Sequence, residues 1–89
     1  MPVDFDLAQN FPNPFNDQTQ ICFLLPQAVR ARVSILNLLG REIAILVDDH
    51  LQSGRHQINF SAQAFASGIY YYRLQTEDYS ATKKMVLLR

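Results

Sequence analysis

Two histidines, one cysteine and a pair of adjacent aspartates are the residues of this 89-residue chain whose types invite chemistry. His50 and His56 stand at no spacing to a Cys or another His that resembles a zinc site. Cys22 and His56 could in principle pair as nucleophile and base. Cys22 lies inside the apolar run ICFLL, where a buried thiol would have no access to substrate. It is expected to be a small buried hydrophobe. Asp48 and Asp49 lack the regular oxygen-ligand spacing of a calcium loop and read as solvated. Gly40, Gly54 and Gly68 belong to no phosphate-cradling motif. The chain therefore reads as a protein that is not an enzyme, with no cofactor and no metal.

The elements that must position these residues are short and of β type. TQICFLL (19–25) puts Ile21, Phe23 and Leu25 on one face. ARVSILNLLG (31–40) does the same with Ala31, Val33 and Ile35, and Gly40 supplies the positive φ of a turn. REIAILV (41–47) follows at hairpin distance. DDHLQSG (48–54) reads as a polar loop. RHQINF (55–60) places His56, Ile58 and Phe60 on one face, with the histidine ring partly covered and hydrogen-bonded. SAQAFASG (61–68) is a connection that could hold a short helical turn. IYYYRLQ (69–75) sets Tyr70, Tyr72 and Leu74 against Ile69, Tyr71 and Arg73. TEDYS (76–80) turns, and ATKKMVLLR (81–89) closes the chain with Met85 and Leu87 alternating with Val86 and Leu88. About seven short strands at this spacing predict an all-β fold, an antiparallel β-sandwich of two sheets.

Composition agrees with one small globular domain. Hydrophobic residues make up 48% and charged residues 18%, against about a quarter charged in an ordinary domain. The formal net charge is zero and the pI about 6.7, so no global field draws in nucleic acid. No apolar run is long enough for a transmembrane segment, and the first residues lack the pattern of a signal peptide. Residues 1–9 read as a linker remnant or N-terminal strap, and residues 10–89 as the domain.

Three stretches remain without a chemical role. NFPNPFN (10–16) is stiffened by two prolines, each of which pushes the residue before it toward extended backbone. Phe11 and Phe15 are expected to pin it to the core, and Asn16 to cap the turn into the first strand. The tyrosines Tyr70, Tyr71 and Tyr72 suggest a carbohydrate platform, but strand alternation splits them between faces, which favours packing. Residues 79–89 carry Lys83, Lys84 and Arg89 and no acid. On the residues alone they fit either an edge guarded by lysines or a cationic segment offered to a receptor.

Taken in order, NFPNPFN, TQICFLLP, VSILNLLGREI, LQSGRHQINF, ASGIYYYRL and ATKKMVLLR resemble the type A C-terminal sorting domain of the type IX secretion system of Bacteroidetes. The likeness runs from about Phe5 to Arg89. It implies an immunoglobulin-like fold at the end of a secreted or cell-surface cargo protein. It also implies passage through the periplasm, reading by an outer-membrane translocon, and cleavage by a surface sortase-like peptidase. The family's motifs fall on Pro12, Asn13, Pro14, Phe15 and Asn16, on Gly68, Tyr70 and Tyr72, and on Lys83, Lys84, Met85, Val86, Leu87, Leu88 and Arg89. Asp17 and Gln18 replace a more usual Pro-Ser, and Cys22 is unusual in its strand. The immunoglobulin-like domain of flagellar hook-assembly proteins is similar at the PNPFN start and would imply an assembly module instead.

Overall fold

A computed structural model describes residues 4–89. The described residues hold seven strands and no helix: β1 (Asp6–Leu7), β2 (Gln18–Leu25), β3 (Val29–Leu36), β4 (Glu42–Leu51), β5 (Gly54–Ser61), β6 (Gly68–Gln75) and β7 (Ser80–Leu87). They form two antiparallel sheets, one ordered β1-β2-β5 and the other β4-β3-β6-β7. This is the expected β-sandwich.

Alternation decides which side chains fill the space between the sheets. Ile21, Phe23 and Leu25 of β2 are buried against Val33 and Ile35 of β3, Tyr72 and Leu74 of β6, and Met85 and Leu87 of β7. Each such burial removes apolar surface from water and contributes about 1.5–3 kcal/mol. Phe60 meets Phe15 edge-on at 6.3 Å and Phe65 at 5.5 Å, so aromatic rings seal one end of the core.

Three local expectations change. The β4 strand does not stop at Val47 but runs on through Asp48, Asp49 and His50 to Leu51. These residues have low strand propensity, but here they lie on an edge strand facing water and opposite arginines. Arg32 pairs with Asp48 in the ladder and Arg30 with His50, and cross-strand charge pairs favour the pairing. Only Gln52 and Ser53 remain as the turn into β5. Secondly, the 61–68 connection holds a turn, with Phe65 N–H donating to Ala62 C=O, and no helix. Thirdly, Cys22 is only half buried, because it lies on the outer face of β2. Its sulfur accepts a 3.6 Å contact from the Arg55 guanidinium on β5.

The β3–β4 hairpin closes on Asn37. Its side-chain oxygen accepts from Leu39 N–H (2.9 Å) and Arg41 N–H (3.0 Å), and Gly40 has a φ of 80°. A left-handed backbone of this kind explains the glycine, since a Cβ there is strained. Two register breaks admit one additional β4 residue each, Leu46 and Ile43.

Candidate recognition surface

The unexplained N-terminal and C-terminal segments of the sequence form one structure. From β1 the chain crosses the end of the sandwich, leaving β2 and arriving beside β7. Ala8 N–H donates to Cys22 C=O, and Phe11 and Gln20 exchange both backbone hydrogen bonds. Four residues on, Phe15 N–H donates to Val86 C=O (3.0 Å), and Leu88 N–H donates to Phe15 C=O (2.8 Å). Phe15 thus lies parallel to Leu87. Two side chains complete the seam. Asn13 Oδ1 accepts from Val86 N–H at 3.0 Å, and Gln9 Nε2 donates to Lys84 C=O at 2.7 Å. An edge strand with open backbone groups is prone to mispairing. The strap occupies those groups along the second half of β7.

The strap is held from inside by Tyr72. Its hydroxyl donates to Ala8 C=O (2.6 Å) and accepts from Asn10 N–H (2.7 Å). Burial pushes its pKa up to about 12, partly offset by the Asn10 hydrogen bond. The buried Asn10 amide also donates to Thr19 Oγ1 (2.9 Å) and Pro12 C=O (3.1 Å), while Thr19 donates to Pro12 C=O (2.8 Å). Proline carbonyls left beside a core need such donors. Both bonds preceding Pro12 and Pro14 are cis.

The anchoring expectations are half met. Phe15 is buried, but Phe11 is 77% exposed. Its backbone pairs with Gln20, and that pairing turns the ring to the outer side of the strap, next to the exposed face of β2. Asn16 is exposed, and the amides that fasten the segment belong to Asn10 and Asn13. The composition of NFPNPFN shows that it is fastened. Which asparagine does the fastening depends on a strap geometry that the sequence does not display.

The expected recognition residues divide by face. Met85 and Leu87 are buried core residues. Lys83 is partly covered, Lys84 exposed and Val86 partly covered, with Leu88 and Arg89 exposed. Arg89 folds back rather than reaching outward. Its N–H donates to Ser67 Oγ (3.1 Å), and its guanidinium donates to Phe65 C=O (3.0 Å) and Ala62 C=O and stands 3.7 Å from Asp17. No carboxylate lies within ion-pair distance of Lys83 or Lys84 among the described residues.

The tyrosines do not form a platform. Tyr72 is buried, Tyr70 donates its hydroxyl to Ala66 C=O (2.6 Å) and packs on Phe65, and Tyr71 alone faces outward opposite Lys84. Gly54 and Gly68 open β5 and β6. His56 stacks on Phe23 at 5.3 Å and shares a 2.7 Å hydrogen bond with Gln52 C=O, which gives it the structural role expected of it. Among the described residues no group of three or more His, Cys, Asp or Glu is gathered in metal-binding proximity, and no helix is long and apolar enough to cross a membrane.

A strap that seals an edge strand, a buried tyrosine that ties it and a basic last strand are the features that set this sandwich apart. Comparison with protein families gives a match to the secretion system C-terminal sorting domain over residues 9–88. The chain belongs to that family, the C-terminal sorting signals of type IX secretion found in Bacteroidetes. It is not a family of enzymes. No curated protein matches the chain.

Proposed function

We propose that the domain is an address label read in its folded form. It carries an upstream cargo domain of the same chain from the periplasm through the outer-membrane translocon, and a surface sortase-like peptidase then removes it. Membership of the sorting-domain family supports a secreted or cell-surface cargo. Residues 10–89 act as the sorting unit and residues 1–9 as the segment that leads into it from the cargo. Residues 1–3 lie outside the described part, while Phe5 stacks on Tyr79 at 4.9 Å and Leu7 is buried. The translocon would then read the exposed side of the segment Lys83–Arg89.

The observation that carries this reading is the integration of β7. Met85 and Leu87 are core residues and the strap covers Val86, so the basic segment is a strand of the sandwich and not a free tail. The test fuses the 89 residues behind a periplasm-directed reporter in a host with the secretion system. Export of the intact fusion is expected, and its retention inside the cell overturns the reading. Deleting Lys83–Arg89 removes core side chains along with the lysines. The sharper variant is therefore Lys84→Glu, at the lysine on the exposed face of β7. It is expected to stop export while the purified domain keeps its unfolding midpoint. Unchanged export places recognition elsewhere.

A further inference from the structure

One aromatic ring is held in place by the fold and left in water. Phe11 is 77% exposed, yet its backbone is fixed, because it exchanges both hydrogen bonds with Gln20 and is followed by Pro12. Residues directly opposite in an antiparallel pair carry their side chains on the same face. Phe11 lies opposite Gln20, and Gln20 lies opposite Asn59. The ring and the two amides therefore stand in one row across the outer face of the β1-β2-β5 sheet. The row is about 10 Å long at the usual strand spacing.

The surface around this row is of one chemical kind. Gln18 and Ser61 form the next pair on one side, and Cys22 and Gln57 the next pair on the other. Gln18, Gln20, Gln57, Asn59 and Ser61 are all exposed. Two depressions adjoin at Phe11 and Gln20. One, of about 370 Å³, takes in Gln18 and Asn59, and the other, of about 380 Å³, runs toward Leu24 and Arg55. The charges that the paired strands place on this face are Asp6 and Arg55, opposite in sign and standing on either side of Leu24 at its far end.

We infer that this face is a binding site for a neutral polysaccharide. The Phe11 ring takes the C–H side of a sugar ring, and the amides of Gln20 and Asn59 bond its hydroxyls. A sugar hydroxyl both donates and accepts, and so does each side-chain amide. An aromatic ring offers a flat apolar surface whose negative face suits C–H bonds. An aromatic surface joined to a few convergent polar groups is the usual make-up of a small-ligand site. Other ligand classes fit less well. A nucleic acid or an acidic glycan needs cations, and here the one arginine is offset by Asp6. A peptide that adds as a strand needs open backbone, and at the centre of this face β2 is already paired on both sides. The ring that stands clear thus belongs to the strap and not to the tyrosines of β6. The site is on the opposite sheet from Lys84 and does not depend on the address-label reading.

The test is native gel electrophoresis of the purified domain through gels containing glucomannan, hydroxyethyl cellulose or dextran, with alginate as the acidic counterpart. At least one neutral polymer is expected to retard the wild-type domain, and alginate to leave it unretarded. Phe11→Ala should raise the Kd read from that retardation by at least about tenfold, the scale of one aromatic anchor. Phe11→Tyr should keep the binding, and Gln20→Ala with Asn59→Ala should weaken it. All these variants are expected to keep the wild-type unfolding midpoint. Failure of every neutral polymer to retard the domain overturns the site. So does a Kd for Phe11→Ala within about twofold of wild type. Retardation by alginate alone assigns the face to charge and overturns the neutral ligand. A lowered midpoint for Phe11→Ala shows that the ring serves the strap and also overturns it. The export fusion carrying Phe11→Ala is expected to leave the cell as the unaltered fusion does. Its retention would return Phe11 to the sorting signal and overturn a separate site.

Discussion

The seam between the strap and β7 and the outer face of the β3–β4 pair both fasten an edge strand, by opposite means. At the seam the partners are buried or backbone groups: Tyr72 holds Ala8 and Asn10, and Asn13 and Phe15 hold Val86 and Leu88. Across β3 and β4 the partners are charges in water. Arg32 is bonded to both Glu42 and Asp48, Arg30 reaches Asp48 at 3.1 Å, and Arg73 stands 3.8 Å from Glu42. A hydrogen bond out of reach of water is costly to lose because its groups find no replacement. An ion pair in water is replaced by solvation at once. The difference teaches where this small domain keeps its stability, and it can be broken at either side.

The largest effect is expected at the seam. Tyr72→Ala removes a ring from the centre of the core and frees the strap at residues 8 and 10, and should cost about 3–5 kcal/mol. Phe15→Ala should fall in the same range of about 3–5 kcal/mol, because Phe15 packs on Phe60 and also orders the residues beside β7. Chemical denaturation of the two variants measures this. A loss below about 1 kcal/mol in both would remove the seam from the core.

A smaller effect isolates the tyrosine hydroxyl. Its pKa in the fold is raised from 10 to about 12 by burial. The neutral phenol is thus the form the fold prefers. The stability it contributes is fully present below pH 10 and is lost as pH rises toward 12. The loss is on the order of 2–3 kcal/mol for a shift of this size. Unfolding midpoints of wild type should fall across that window, and those of Tyr72→Phe should fall less steeply. Equal slopes would show that the hydroxyl ionises as readily in the fold as in the unfolded chain.

The same contrast explains how far the sequence could be read. Strand faces were legible because alternation is a local signal, and Ile21, Phe23, Val33, Ile35, Leu74 and Met85 lie on the buried sides that alternation assigns to them. The continuation of β4 through Asp48–His50 was not legible, since it depends on Arg30 and Arg32 standing opposite on another strand. The seam was half legible. Two prolines and the basic ending each marked a special segment, but nothing local says that Phe15 lies against Leu87, some seventy residues on. Phe11 and Leu39 show the limit of reading hydrophobicity as burial. Each is apolar, and each is turned outward by a backbone pairing or a turn that distant residues or Asn37 and Gly40 impose.

The charged face gives the smallest expected effect and the sharpest check on the comparison. Glu42 is held below the usual carboxylate range chiefly by its hydrogen bond to Arg32, and Arg32 is correspondingly raised. The arrangement is nonetheless open to solvent and incomplete, with Arg73 Nε buried and unpartnered at its margin. Arg32→Ala should therefore shift the unfolding midpoint far less than Phe15→Ala. Because Glu42 is the group with the depressed pKa, whatever it contributes is present above its ordinary value near 4.5 and fades as pH falls below it. That contribution should also vanish at about 1 M salt, where charges are screened within about 3 Å. If Arg32→Ala destabilised the domain as much as Phe15→Ala, and did so at high salt, the ion pairs would be acting as a buried network and the contrast between the two fastenings would be gone.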